Sequence, residues 1–208
     1  MRRVFLSILV LAVAACTDGT TTVEPMNHDD NAIAALRNVS GTYTAEVNAG
    51  LAQIRQVTAG FHDFEKAQEA GYTTWSPNPF APGATCPSNS EGNMGYHLVN
   101  VPLRGGAGNP AAGDATIDLL QPEMLLYEKK PNGTMRLVGV EYIVFKAAWE
   151  AANGIGAPPP EILGQPLLEG SHTFPGGTGS IPHYELHVWV WSRNSLGMFY
   201  PWNPDVSC

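Results

Sequence analysis

A chain of 208 residues, 44% hydrophobic and 14% charged, is long enough to bury a core without help from a metal or a cross-link. It carries 11 Lys and Arg against 19 Asp and Glu, a formal net charge of −8. With no basic cluster, the footprint that a phosphate backbone requires is missing, which excludes nucleic acid as a partner.

The chain opens on Met1-Arg2-Arg3 and continues with an apolar run from Val4 to Ala15, broken only by Ser7. A basic start, a short apolar stretch and small residues at its end read as a secretory signal peptide. The run is shorter than the roughly 20 residues needed to span a bilayer. Its end, Val13-Ala14-Ala15-Cys16, resembles the lipobox of bacterial lipoproteins. That resemblance implies cleavage before Cys16, diacylglycerol on its thiol and an acyl chain such as palmitate on the new amino terminus. Two or three acyl chains hold a protein on a membrane where one holds only marginally. The alternative is an ordinary signal peptide with a chance cysteine. Residues 1–15 are thus expected to be a lipoprotein leader, and residues 16–38 a lipidated flexible tether. The tether, with Thr20, Thr21 and Thr22 in a row and acidic Asp29 and Asp30, holds little apolar material. By resemblance to lipoprotein sorting, Thr17 is not the aspartate that retains a lipoprotein at the inner membrane. An anchor in the outer membrane, facing the periplasm, is favoured if the source is Gram-negative. The mature chain of 193 residues keeps nine Lys and Arg, for a net charge of −10.

Residues 39–208 have the size of one domain. From Val39 to Ala70, Val47, Leu51, Ile54, Val57, Phe61 and Phe64 recur at steps of three and four, which predicts a helix with one apolar stripe. Gly60 weakens its middle and Thr58 is a candidate cap, so a pair of helices joined near 57–60 is the alternative. Gly71 is the expected stop. His62, Asp63 and Glu65 lie off the stripe, on a solvated face. Beyond Tyr72 the pattern changes to short strands separated by Gly/Pro-rich loops, since most of the 22 Gly and 17 Pro follow Pro77. Strands are expected at Met94–Val101, Met124–Glu128, Arg136–Phe145 and Tyr184–Ser192, with a hairpin turn at Lys129–Gly133 and one or two helical turns at Lys146–Asn153. Thr73–Ser90, Pro102–Asp118 and Gly154–Pro182 read as loops. The fold class is α+β: an N-terminal helix or helix pair packed on a mainly antiparallel β-sheet with long Gly/Pro-rich loops.

With Cys16 committed to lipid, Cys86 and Cys208 remain. In an oxidising compartment an even pair without a CxxC spacing reads as a disulfide, with a thiolate metal site as the rival.

Several strings, in order, resemble an uncharacterised family of bacterial exported proteins and lipoproteins. They are Met94-Gly95-Tyr96-His97-Leu98-Val99-Asn100, Pro122-Glu123-Met124-Leu125-Leu126-Tyr127-Glu128, Leu137-Val138-Gly139-Val140-Glu141-Tyr142 and His187-Val188-Trp189-Val190-Trp191, then Trp202-Asn203-Pro204-Asp205-Val206-Ser207-Cys208. The resemblance covers about Thr58 to Cys208. It implies kinship within one domain and brings no catalytic residues with it.

Chemistry concentrates in His183-Tyr184-Glu185-Leu186-His187. In a strand, His183, Glu185 and His187 share a face, and two imidazoles with a carboxylate are suitable donors for one transition-metal ion, Zn, Cu, Fe or Mn. The outer two Cα atoms are roughly 13 Å apart, too far for one ion to take all three. Further donors must come from other strands, and His97 and Glu141 are the candidates. Glu141 has Leu137 and Gly139 on its own face and Val138, Val140, Tyr142 and Val144 expected on the other, so its carboxylate points at something partly buried and needs a partner. His97, Glu141 and His187 are the first choices, with Glu185 and His183 behind them. The other reading of these residues is a metal-free network in which His97 and His187 bond to Glu141 and Glu123.

A second hypothesis rests on Trp189, Trp191 and Trp202, with Phe199 and Tyr200. They form either an aromatic surface that binds a partner in the envelope without metal, or part of the core. Alternation puts Trp189 and Trp191 on one face and Val188 and Val190 on the other. Ser192 and Ser195 lack a nucleophile elbow, and neither a His-Glu-x-x-His helix nor a phosphate-cradling loop is present. Whether the protein is an enzyme, what small ligand or protein it meets, and how many copies assemble are left open by the sequence.

Overall fold

The computed structural model describes residues 43–73, 86–105, 113–173 and 180–208. The expected leader, Cys16 and the tether lie outside the described residues, as do parts of the three expected loops. The described chain is α+β, a helical layer on a six-stranded, antiparallel sheet.

Helix α1 runs Ala45–Thr58. Thr44 caps it by accepting from the Val47 amide at 3.3 Å, and Gly50, Leu51, Ile54 and Thr58 form its buried face. Steps of three and four place these residues on one stripe. Thr58 does not cap the second helical segment: its hydroxyl donates back to the Ile54 carbonyl at 2.7 Å. A 3₁₀ turn, Ala59–His62, leads to α2, Phe64–Glu69, whose cap is Asp63, accepting from the Glu65 and Lys66 amides. The predicted break is therefore real, and Asp63 has a structural role. Gly71, at φ 94°, ends the unit in a conformation that other residues resist.

Six strands form the large sheet: Tyr72–Thr73 (β1), Tyr96–Asn100 (β4), Met124–Lys129 (β5), Met135–Phe145 (β6), Leu168–Thr173 (β9) and Ser180–Val188 (β10). They lie side by side in the order β1-β4-β5-β6-β10-β9. Two small hairpins, Ser88–Asn89 with Gly92–Asn93 (β2, β3) and Glu161–Ile162 with Gln165–Pro166 (β7, β8), stand outside it. Helix α3, Lys146–Asn153, comes directly after β6. The stretch 154–182, expected as loop, thus contains β7, β8 and β9 and the start of β10. β9 is an edge strand whose composition, Leu-Glu-Gly-Ser-His-Thr, lacks the β-branched pattern of a half-buried strand. It forms by pairing with β10 from Glu185↔Leu168 to Ser180↔Thr173.

A bulge divides the sheet's residues between its faces. Leu126 opposes Gly139 but Tyr127 opposes Leu137, leaving Val138 as the extra residue on β6. Leu137 therefore joins Val140, Tyr142 and Val144 in the main core beneath the helices, with Leu98, Leu125, Leu186 and Val188. Val138 turns to the opposite face, beside Leu126, Trp189 and Val206. The alternation expected at Leu137 and Val138 is reversed by this one residue. Gly139 sits at the bulge because a Cβ there would lie 2.8 Å from the Val188 carbonyl oxygen and 3.3 Å from Leu126.

Cys86 and Cys208 lie with Cα atoms 5.8 Å apart and their sulfurs at disulfide distance. Closing 122 residues of sequence contributes about 5 kcal/mol on a chain-entropy basis.

Glu123, immediately before β5, is 2% exposed and accepts from the Ile143 amide at 3.2 Å, so its side chain extends the ladder beyond the last β5 pairing. Desolvation pushes its carboxyl up to about 8, with Asp114 and Glu141 adding to the rise. The folded chain therefore keeps a proton that the unfolded chain releases above about 4.5. Stability is expected to fall as pH rises from there and to level off above about 8, by on the order of 5 kcal/mol at most. Urea denaturation across this range is expected to show a flatter profile for Glu123→Gln; an unchanged slope would place the titration elsewhere.

Candidate metal centre

The face opposite the helices carries a polar row between two apolar groups. Val99, Met124, Ile143 and Phe145 form one group; Leu126, Val138, Trp189 and Val206 form the other. Between them three strands deliver His97 (β4), Glu141 (β6) and His187 (β10). Glu141 and His187 are direct register partners. His97 opposes Leu126, which opposes Gly139, so its ring reaches Glu141 from across β5. Among the described residues, His97, Glu141 and His187 are the group whose donor atoms converge as metal ligands do.

Three distances define the group. His97 Nε2 lies 3.0 Å from Glu141 Oε2, His187 Nε2 lies 3.7 Å from the same oxygen, and the two imidazole nitrogens are 3.4 Å apart. A triangle of these sides has a circumscribed radius of about 2.0 Å, close to the roughly 2.0–2.2 Å of metal–imidazole and metal–carboxylate bonds. An ion raised about 0.7 Å from that plane is about 2.1 Å from each donor, at the apex of a flattened tetrahedron. Glu141 Oε2 is buried and takes part in no aligned hydrogen bond among the described residues. The contact with His97, at 3.0 Å, is the shortest of the three.

The site is nearly dry. The side chains of Glu141 and His187 are 2% and 1% exposed, and that of His97 is 17% exposed. Desolvation pulls the His97 pKa down, but the charge and contact of Glu141 push harder upward, helped by Glu185 and the Gly95 main chain, so the net shift is upward. The His187 ring stacks on the Trp189 indole with centroids 5.9 Å apart and planes 22° apart. Trp189 is itself fixed by donating to the Tyr200 carbonyl at 2.6 Å. The Trp189 indole offers no metal ligand, and nothing in the sequence pattern marks it for this orienting role. Gly139, in an otherwise large apolar run, is the sequence signal for the close approach of β6 and β10 beside it.

His183 and Glu185 share the face of His187 but do not join the group. His183 Nε2 lies 2.9 Å from Glu185 Oε2, and its Nδ1 lies 2.8 Å from the Ile181 carbonyl oxygen. Both ring nitrogens thus face acceptors, which holds the ring as an imidazolium that donates twice. Desolvation lowers its pKa, but the hydrogen bond and charge of Glu185 outweigh it and the net shift is upward. The two residues expected as reserve ligands are a buried ion pair. Glu123 likewise bonds to a backbone amide rather than to a histidine.

The tryptophans are not an exposed platform. Trp189 is 1% and Trp202 6% exposed, and both are packed into the core groups. Trp191 is half-buried on the helical side, donating to Thr58 Oγ1 at 3.0 Å and meeting the His62 ring edge-on at 4.3 Å. Trp189 and Trp191 part because β10 ends at Val188, where the Val190 amide turns back to the Val188 carbonyl at 2.9 Å. The alternation expected for them ends with the strand.

No family model, curated protein or solved structure matches this chain.

Removing one member of a buried ion pair leaves the other charge uncompensated. His183→Ala is expected to lower unfolding free energy by about 3–5 kcal/mol, measured by chemical denaturation. A loss below about 1 kcal/mol would mean that Glu185 is not held as a buried carboxylate by His183.

Proposed function

We propose that the protein holds one divalent first-row transition-metal ion through His97 Nε2, Glu141 Oε2 and His187 Nε2. The observation that supports this reading is the triangle of donors, which has a point at bonding distance from all three atoms. Neutral imidazoles and a carboxylate suit Zn²⁺, Fe²⁺, Mn²⁺ or Cu²⁺. A cation also offsets a carboxylate taken out of water, which is otherwise costly.

The place of action proposed with it is the cell envelope. The leader, the Ala14-Ala15-Cys16 junction and the Thr-rich tether support export and a lipid anchor, and the Cys86–Cys208 pair suits an oxidising compartment. Among the described residues no helix is long and apolar enough to cross a membrane. The anchor proposed is lipid on Cys16, at the Ala14-Ala15-Cys16 junction.

Two measurements test these readings separately. Elemental analysis of the exported Cys16→Ser protein, purified without a histidine tag, is expected to give about one metal ion per chain. The His97→Ala/His187→Ala double variant, shown to be folded by circular dichroism, is expected to lose it. A parent protein that is metal-free and resists loading with all four ions would sink the metal reading. Palmitate labelling of the unaltered chain, with recovery in the membrane fraction, is expected to be lost in Cys16→Ser. Equal labelling of both would rule out the lipid anchor at this residue.

A further inference from the structure

The proposed ion has three protein donors and a coordination shell that needs more. His97, Glu141 and His187 are the ligand group among the described residues, and they are flanked on either side by apolar side chains. Glu185, the next carboxylate on β10, is engaged with His183. His172 is in register with Ile181, three alternate positions along β10 from His187, roughly 20 Å at strand spacing. Outside the described residues, segments 74–85, 106–112 and 174–179 contain no His, Cys, Asp or Glu, and Cys16, Asp18, Glu24, His28, Asp29 and Asp30 all fall in the stretch 16–38 expected as tether. A structural zinc site is closed by four protein ligands, whereas three ligands leave a position for an exogenous group.

Charge selects that group. A divalent ion with one carboxylate and two neutral imidazoles carries a net charge of +1, and the adjacent His183–Glu185 pair is neutral overall. In surroundings this dry, a positive centre favours an anion over a neutral ligand. Access is from the His97 side, since His97 is the one ligand with appreciable exposure. The side chains flanking the group on that face are apolar, so they offer no polar partner to a larger ligand.

We propose that the metal at His97, Glu141 and His187 keeps an exchangeable coordination position that takes a small monodentate anion, hydroxide included. This rests on the metal reading, and the test is arranged so that each fails in its own way. Co²⁺ is loaded into the Cys16→Ser chain, its stoichiometry is measured, and the visible d–d spectrum is recorded during titration with azide. The expected result is one Co²⁺ per chain with a four- or five-coordinate spectrum, and a saturable 1:1 shift of the band on adding azide. His187→Ala is expected to lose the band, which distinguishes the site from cobalt held loosely elsewhere. One tightly bound Co²⁺ whose spectrum ignores azide would leave the metal reading intact and overturn the open position. Failure to bind Co²⁺ or any of the four ions would overturn both.

Discussion

Glu141 is a carboxylate 1% exposed in the middle of an eleven-residue strand with a neighbour on each side. Taking such a group out of water costs several kcal/mol unless opposite charge and good geometry compensate it. The rest of that face is arranged around this requirement. β10 supplies His187 directly opposite, β4 supplies His97 from beyond β5, and Trp189 holds the His187 ring at a fixed tilt. The apolar groups on either side reinforce the demand, because they exclude the water that would otherwise solvate the carboxylate.

The two faces of the sheet divide the work. The helical face is the larger core, and three of its tyrosine hydroxyls each donate to a carbonyl: Tyr72 to Pro122, Tyr127 to Phe61 and Tyr142 to Leu119, at 2.6–2.8 Å. These bonds tie the helix pair and the 113–123 segment to the strands, and burial holds all three phenols well above their ordinary pKa. They stay neutral and structural. Titratable groups that converge on one another are found on the other face, where β4, β6 and β10 fix them from rigid elements. Because the donors sit on strands, their positions are set by the ladder and not by loop conformation.

Much of this is legible in the chain. The helical stripe, the four long strands and the helix after Phe145 follow from local periodicity. All three ligand candidates emerge from asking which polar residues interrupt apolar strands. What local pattern does not hold is which strands lie side by side. Alternation therefore groups His183 and Glu185 with His187, although the outer two of the three, roughly 13 Å apart, are too far from each other to share an ion. The bulge at Val138 is invisible for a similar reason. An extra residue on β6 has meaning only against the length of β5, and it exchanges the faces of Leu137 and Val138 without changing the character of either. Alternation also misplaces Trp191, because the strand stops earlier than its hydrophobicity suggests. β9 escapes the pattern because an edge strand rich in Glu, Gly, Ser, His and Thr is specified by its partner and not by its own residues.

The contacts of the two histidine–glutamate groups on one face distinguish a buried ion pair from a candidate ligand set. In His183–Glu185 both ring nitrogens lie at hydrogen-bond distance from an acceptor, and a proton on each satisfies both contacts. A metal would have to displace hydrogen bonds that are already well made. At His97, Glu141 and His187 a proton satisfies at most one side of the triangle. If it sits between His97 and Glu141, the 3.4 Å contact between the two imidazoles still sets nitrogen against nitrogen, and His187 stands 3.7 Å from an oxygen already engaged. Three donor atoms within 3.0–3.7 Å of one another lie at the separations that the ligands of one ion would have. The difference lies in the convergence of three donor atoms and not in residue type, which the two groups share.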